Sequence, residues 1–148
     1  MGTFVALVVA IAQFASAPLD TTPSDTERFQ QLMFRTPLAT FITVADTGVP
    51  SSLDWTTDRC SAPFVGNTGM SYDFTRACRR HDFGYRNLKR FDRRSPHTWW
   101  TATWRARVDE QFRRDMKAHC AGRAMVHRYV CYWWADLYYG IVRLFGGP

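Results

Sequence analysis

The most informative segment for the architecture is residues 78–87, Cys78-Arg79-Arg80-His81-Asp82-Phe83-Gly84-Tyr85-Arg86-Asn87. If this segment is helical, Cys78, His81 and Tyr85 fall at i, i+3 and i+7 of one buried stripe. Asp82 then points about 100° away from His81 around the helix axis. The spacing therefore predicts a base held in an apolar wall with a carboxylate beside it, an arrangement that favours hydrolysis by a metal-assisted water.

Helical signals recur along the rest of the chain, and strand alternation is scarce. A capping box at Ser24-Asp25-Thr26-Glu27 opens the first predicted helix. The predicted helices cover about 25–35, 72–91, from Ser95-Pro96 to about His119, and Cys131–Phe145. We therefore predict an all-α fold, a small helical bundle in which two long antiparallel helices follow a loop over residues 46–71.

Composition divides the chain into three parts. Residues 1–17 carry no charged side chain and end in Ala15-Ser16-Ala17, which is typical of a signal-peptidase site, so we expect a signal peptide and a secreted, extracellular protein. Residues 18–50 hold two basic and four acidic side chains, whereas residues 51–148 hold 17 basic and nine acidic ones. This contrast predicts either a removed propeptide or an N-terminal helical arm over 18–50, before a basic domain over 51–148.

The positive charge of residues 51–148 favours an anionic partner, which is a lipid surface or a nucleic acid. A nucleic-acid binder would use Trp99–Arg107 as a surface for base stacking and phosphate contacts. Secretion disfavours that alternative, because it removes the protein from most nucleic acid. A third alternative is that the charges only keep the protein soluble.

Four cysteines, Cys60, Cys78, Cys120 and Cys131, follow the expected signal peptide. An even number in an oxidising compartment predicts two disulfides, for which three pairings exist. Pairing in sequence order closes the shortest loops, but spacing alone leaves the choice open. A zinc site is the rival interpretation, and it would require cysteines or histidines at closer spacing.

Two carboxylates are placed to share a cation. Asp58 lies two residues before Cys60, and Asp82 lies four residues after Cys78, so a bridge between these cysteines would bring both carboxylates together. Oxygen ligands of this kind suit calcium, with the backbone carbonyl of Arg59 as a third ligand. The alternatives are that Asp58 caps its own turn and that Asp82 is an ordinary surface charge.

Asp109 is the predicted partner of His81. It stands at i of a stripe continued by Phe112 and Met116, where an unpaired carboxylate would be costly. In an antiparallel helix pair that turns near residues 91–95, His81 and Asp109 lie at similar heights. A carboxylate bonded to one imidazole nitrogen leaves the other free to accept a proton. The alternative is a salt bridge from Asp109 to one of Arg105, Arg107 or Arg113.

Three motifs follow one another along the chain: Asp54-Trp55-Thr56-Thr57-Asp58-Arg59-Cys60, then residues 78–87, then Val108-Asp109 leading into Asp115-Met116-Lys117. Over about residues 54–120 they resemble the secreted bacterial and fungal phospholipase A2 family. The resemblance implies calcium-dependent hydrolysis of the sn-2 acyl ester of glycerophospholipids to a lysophospholipid and a free fatty acid. It also implies a mostly helical core and two disulfides paired in sequence order.

The same resemblance assigns the site. It implies that His81 is the base, that Asp109 orients it, and that Ca²⁺ is held by Asp58, the carbonyl of Arg59 and Asp82. The expected partner is a phospholipid membrane surface or micelle, with no nucleic acid, and the chain is expected to be a monomer. The alternative within the same scaffold is a catalytically weak membrane-binding toxin, which the intact set of His81, Asp82 and Asp109 disfavours.

Overall fold

The computed structural model describes residues 23–60 and 72–147, so the expected signal peptide over 1–17 lies outside the described residues. Within them the regular structure is entirely helical, which confirms the predicted all-α class. The elements are α1 (Asp25–Gln30), continued by a π-helical turn (Gln31–Arg35), α2 (Leu38–Thr47), α3 (Thr75–Asp92), α4 (Ala102–Ala121) and α5 (Met125–Phe145).

Helices α3 and α4 form an antiparallel pair at the centre of the molecule. Arg80 early in α3 meets Asp115 late in α4, and Gly84 further along α3 meets Val108 further back in α4. A Cβ atom added at Gly84 would lie 2.6 Å from Cγ1 of Val108. A glycine at this point therefore lets the two helices approach closely enough for their polar side chains to touch.

The N-terminal helices cover one face of α3. Phe29 on α1 and Phe41 on α2 are fully buried, and their rings contact Phe83 of α3 at centroid distances of 5.7 and 5.2 Å. Met33 and Leu88 complete this buried cluster. The sequence left open whether residues 18–50 are a propeptide or a helical arm. In the structure, residues 25–47 of this segment are mostly helical and contact α3.

Arg80 links three parts of the fold from a buried position. Its Nε and Nη2 atoms donate to the carboxylate of Asp115, and its Nη1 atom donates to the carbonyl of Thr36. Gln111 also donates to Asp115, at 2.9 Å. A buried ion pair is costly to break when one partner is lost, so these bonds fix the relative position of α3, α4 and the chain before α2.

Helix α5 packs along α4 and closes a second core. The buried members of this core that come from α4 and α5 are Phe112, Met116, Cys120, Cys131, Ala135 and Tyr138. Two disulfides join Cys60 to Cys78 and Cys120 to Cys131, which is the pairing in sequence order. The first ties the loop before α3 to α3 itself, and the second closes the turn between α4 and α5.

Two helix boundaries differ from the sequence predictions. Helix α4 begins at Ala102, not at Ser95-Pro96, because the Asp92 carboxylate accepts hydrogen bonds from the main-chain N–H groups of residues 98–100 and holds them in turns. The hydroxyl of Thr101 then caps the helix. Helix α5 begins at Met125, six residues before the predicted Cys131, because the helix also includes residues 125–130 on the N-terminal side of that cysteine.

Candidate active site

His81 lies on the side of α3 that faces α4. The residue is 8% exposed, and its ring lies between those of Tyr85 and Phe112, at centroid distances of 4.3 and 4.7 Å. Tyr85 is one helical turn further along α3, so the ordinary period of the helix brings it against the imidazole. These two aromatic rings restrict the orientation that the His81 ring can adopt.

Asp109 on α4 is the hydrogen-bonding partner of that ring. Its Oδ1 atom lies 2.9 Å from Nε2 of His81, and the residue is 0% exposed. The hydroxyl of Tyr85 donates to the same oxygen at 2.7 Å. A carboxylate removed from water in this way requires donors on all sides, and the His81 and Tyr85 bonds satisfy one of its two oxygens.

The second oxygen of Asp109 faces two guanidinium groups. Nη1 of Arg143 donates to Oδ2 at 2.9 Å, and Nε of Arg105 lies 3.7 Å from the same atom. Arg105 also donates to the main-chain carbonyl of Arg143 at 2.6 Å. Asp109 is therefore held by groups from three elements: His81 and Tyr85 on α3, Arg105 on α4 and Arg143 on α5.

The charge state of Asp109 determines the tautomer of His81. Burial raises the pKa of Asp109, but the hydrogen bonds from His81, Tyr85 and Arg143 outweigh it, so the pKa lies below its usual value. An ionised carboxylate only accepts hydrogen bonds, so Nε2 of His81 carries the hydrogen. Nδ1 is then the nitrogen with a free lone pair. Burial and the Asp109 carboxylate raise the pKa of Tyr85, which keeps the phenol a neutral donor.

Of the three arginines considered as partners for Asp109, only Arg105 approaches it. Arg113 pairs with Asp136 at 2.7 Å, and the guanidinium of Arg107 lies over the Trp104 ring at 4.3 Å. The sequence contained a signal for Tyr85, which shares the stripe of His81. It contained none for Arg143, because 34 residues separate it from Asp109 and only the packing of α5 brings it back.

The loop before α3 brings Asp58 and Arg59 to Asp82. The hydroxyl of Thr57 and the main-chain N–H of Asp58 both donate to Oδ2 of Asp82, the latter at 3.2 Å. Asp58 also lies 3.6 Å from Arg86. Arg59 has a positive φ of 65°, a left-handed conformation that non-glycine residues adopt rarely. Asp58, Arg59 and Asp82 therefore lie near one another, and all three line the same cavity.

Two anchors fix this loop to α3. At one end the Cys60–Cys78 disulfide holds it one helical turn before Asp82. At the other end the buried side chain of Asn87 accepts from the N–H of Asp54 and donates to the carbonyl of Asp54, both at 2.8 Å. Asn87 is a positioning residue that the spacing arguments missed, although the segment 78–87 includes it. A buried asparagine with its amide fully used is the structural sign of that role.

The chemistry of Asp58 and Asp82 is compatible with a hard cation such as calcium. Carboxylate and main-chain carbonyl oxygens are the ligands that calcium prefers and that zinc does not select. In the described ranges, no group of three or more His, Cys, Asp and Glu side chains is placed to hold a metal, so further ligands would be main-chain oxygens or water. Burial raises the pKa of Asp82 to about 6, and the negative charge of Asp58 adds to this rise, whereas the hydrogen bond from Thr57 opposes it. A bound cation would offset the repulsion between the Asp58 and Asp82 carboxylates.

A cavity of about 210 Å³ lies between the loop, α3 and α5 and is lined by both His81 and Asp82. Its polar side is formed by Asp58, Arg59, His81, Asp82 and Tyr85. Its opposite side is apolar and comes mainly from α4 and α5, through Phe112, Tyr138, Ile141, Val142 and Phe145. The cavity is therefore suited to a ligand with a polar reacting group and a hydrocarbon portion.

A second, wider groove of about 660 Å³ lies elsewhere, along α4, and its polar lining is Thr103, Arg107, Glu110 and Arg114. It contains neither an imidazole nor a pair of carboxylates. Of these two, only the smaller cavity is lined by an imidazole together with two carboxylates, which makes it the candidate site for chemistry.

The described residues thus combine an all-helical, disulfide-bonded fold with a His–Asp pair beside two further carboxylates. A family model described as prokaryotic phospholipase A2 matches residues 29–146. A secretory phospholipase A2 of Beauveria bassiana (strain ARSEF 2860) is 36% identical over 143 residues, which are 95% of this chain and 68% of that protein. The chain belongs to the prokaryotic phospholipase A2 family.

A second relative extends the comparison. A secretory phospholipase A2 of Arthroderma benhamiae (strain ATCC MYA-4681 / CBS 112371) is 32% identical over 138 residues, which are 91% of this chain and 86% of that protein. The family resemblance seen in residues 54–120 is therefore confirmed. It also reaches beyond those residues in both directions, since the family model includes most of the N-terminal helices and all of α5.

Proposed function

We propose that the chain is a secreted, calcium-dependent phospholipase A2. It hydrolyses the sn-2 acyl ester of glycerophospholipids and releases a lysophospholipid and a free fatty acid. The observation that carries this proposal is the 2.9 Å hydrogen bond between His81 Nε2 and Asp109 Oδ1 at the wall of the cavity that Asp58, Arg59 and Asp82 also line.

In this mechanism Nδ1 of His81 accepts a proton from a water molecule as the water oxygen attacks the ester carbonyl carbon. Asp109 holds the ring through Nε2 and stabilises the imidazolium that forms, as acidic partners of catalytic histidines do. The carbon–oxygen bond to the glycerol then breaks, and His81 returns the proton to the departing alcohol oxygen. No covalent bond to the enzyme is needed.

Asp58, Asp82 and the main-chain carbonyl of Arg59 would hold calcium. When bound, the ion supplies a Lewis acid that polarises the ester carbonyl and stabilises the negative charge on its oxygen. The Cys60–Cys78 bridge and the Asn87 side chain keep these oxygen ligands in place beside His81 before substrate arrives. Such preorganisation is a large part of what an enzyme contributes to a hydrolysis of this kind.

The apolar side of the cavity suits the acyl chain of the substrate. Phe112, Tyr138 and Ile141 line it, opposite His81 and Asp82. An acyl chain against these side chains would place its ester near the polar side, where His81 lies.

The proposal is tested with phospholipid vesicles whose sn-1 and sn-2 chains carry different labels. The native chain should release the sn-2 fatty acid alone, and a calcium chelator should lower the rate by a factor of about a hundred or more. Vesicle leakage without release of fatty acid would instead support a membrane-active protein without catalysis. Release that is equal with and without chelator would refute the calcium requirement.

A further inference from the structure

The exposed apolar surface of the described residues is concentrated on α5. Eight large apolar side chains are exposed in the described ranges, and only Val49 lies elsewhere. The other seven are on α5: Met125, Val126, Tyr129, Val130, Trp133, Leu144 and Phe145. Single exposed apolar side chains are ordinary on protein surfaces, but a contiguous group of this size usually marks an interaction site.

Most of these side chains form one line along the helix. Val126, Val130, Trp133, Leu137 and Leu144 follow at i, i+4, i+7, i+11 and i+18, which places them on a single face. Tyr129 and Ile141 flank that line. We call Val126, Tyr129, Val130, Trp133, Leu137, Ile141 and Leu144 the α5 stripe; of these, Leu137 and Ile141 are half-buried. At 1.5 Å per residue the stripe is about 27 Å long. It contains no charged side chain, and it lies opposite the face that Cys131, Ala135 and Tyr138 bury against the core.

The α5 stripe is continuous with the catalytic cavity. Ile141 belongs to the stripe and also lines the cavity that contains His81. Phe145 lines the same cavity and is 73% exposed, so the cavity reaches solvent at the C-terminal end of the stripe. A surface that covered the stripe would therefore lie across the entrance to the site.

The overall charge of the chain suits an anionic surface. Asp136 is the single acidic residue of α5, and it is bonded to Arg113 and Lys117 of α4. Arg128 and Arg143 are the arginines of α5, but Arg128 bonds to the carbonyl of Arg123 and Arg143 bonds to Asp109, so neither is part of the stripe. The chain as a whole has a net charge of +6, and an apolar helix face on a basic protein suits an anionic lipid interface.

In the part of the chain that the structure describes, no helix is both long enough and apolar enough to cross a bilayer. We propose that the α5 stripe docks flat on a phospholipid surface, and that this docking directs the cavity entrance at the lipid. The inference rests on the proposed function, because it takes phospholipid as the substrate of the cavity. It adds the surface by which the protein is held while the ester is hydrolysed.

Docking is measured separately from hydrolysis by using vesicles of diether phosphatidylglycerol and phosphatidylcholine, which have no acyl ester to cleave. The full chain is compared with the double variant Val126→Asp/Val130→Asp and with Leu144→Asp, at positions that are 74%, 46% and 78% exposed. The matched control is Val49→Asp, which is 61% exposed but distant from α5 in sequence and absent from the cavity lining. Each variant is checked for native helicity by circular dichroism.

Both α5 variants should bind diether vesicles at least tenfold more weakly than the native chain, whereas Val49→Asp should bind within twofold of it. Hydrolysis of a short-chain phospholipid dissolved as monomers should stay within twofold for all variants. If the native chain hydrolyses no ester but docking still depends on the stripe, the proposed function fails and the docking surface stands. If vesicle binding is equal in all variants, the docking proposal is overturned.

Two further measurements cover the remaining outcomes. A nitroxide attached to Val130→Cys should be shielded from a water-soluble relaxation agent when vesicles are added. A nitroxide on Val49→Cys should stay accessible. This measurement does not depend on whether the aspartate variants fold. Sedimentation of the native chain identifies the competing occupant. A dimer that Leu144→Asp dissociates, with vesicle binding unchanged, would assign the stripe to a second copy and refute the lipid surface.

Discussion

Arg143, near the end of α5, donates a hydrogen bond from Nη1 to Oδ2 of Asp109 at 2.9 Å. Through this bond the last helix of the fold reaches the carboxylate that holds the imidazole of His81. The bond explains how an arginine 34 residues away in sequence can influence the site. The two carboxylate oxygens of Asp109 therefore have different partners. Oδ1 is bonded to His81 and Tyr85, and Oδ2 faces Arg143 and Arg105.

We predict that Arg143→Ala lowers kcat for ester hydrolysis about tenfold, with little change in KM. The physical reason is that a hydrogen bond to a charged group contributes about 1.5 kcal/mol, and Asp109 would hold His81 less firmly without it. Arg143→Lys should recover part of the loss. Arg128→Ala is the control, since within residues 23–60 and 72–147 that arginine bonds to the main-chain carbonyl of Arg123 and not to Asp109. An equal loss in both alanine variants would contradict a positioning role.

The carboxylates at the loop should govern the calcium requirement. Asp82→Asn removes one charged ligand, so the calcium concentration for half-maximal activity should rise about tenfold or more. In chelator the same variant should be no less stable than the native chain, because burial and the charge of Asp58 disfavour an ionised Asp82. Asp46→Asn, which removes an exposed carboxylate paired with Arg79, should leave the calcium dependence unchanged. Identical calcium titrations for all three proteins would refute the site.

Gly84 should not tolerate a methyl group. Gly84→Ala would place a Cβ atom 2.6 Å from Val108, so α3 and α4 must move apart at a cost of about 1–3 kcal/mol in the free energy of unfolding. Activity should fall with it, because His81 and Asp109 lie on these two helices. Gly140→Ala, in α5 with no atom near the added Cβ, should be neutral or stabilising by up to about 1 kcal/mol. Chemical denaturation of both variants provides the comparison.

Residues 25–47 should behave as part of the folded protein. Phe41→Ala is expected to cost about 3–5 kcal/mol in the free energy of unfolding, because the ring is fully buried against Phe83 and the centre of α3. Val49→Ala, at an exposed site close in sequence, should cost less than about 0.5 kcal/mol. A secreted form that lacks residues 18–50 and keeps full stability and activity would instead support removal of this segment as a propeptide.

Much of the fold follows from periodicity that can be read in the sequence. The approach of His81 to Asp109 was predictable, because two helical stripes and a short turn place both side chains at similar heights. The start of α4 was not, since Ser95-Pro96 is a good local signal for a helix start. It is overridden by the carboxylate of Asp92, which accepts three main-chain N–H groups and delays the helix.

Contacts that depend on how whole helices pack were also beyond sequence reasoning. Arg143 reaches Asp109 only because α5 lies along α4. The position of Asn87 gave no indication that its amide binds the main chain of Asp54 across 33 residues. The apolar face of α5 is visible in the sequence as a run of aromatic and aliphatic residues, but only the packing distinguishes its buried side from its exposed side.

The most direct test is to measure how fast His81→Ala releases the sn-2 fatty acid from vesicles in the presence of calcium. This rate distinguishes a catalytic role of His81 from a purely structural one. We expect kcat/KM to fall by a factor of about a thousand or more, because the proposed base is lost while Asp58 and Asp82 remain. His127→Ala, on the exposed start of α5, should retain the native rate. Release by a folded His81→Ala protein within tenfold of the native rate would show that the imidazole is not the base.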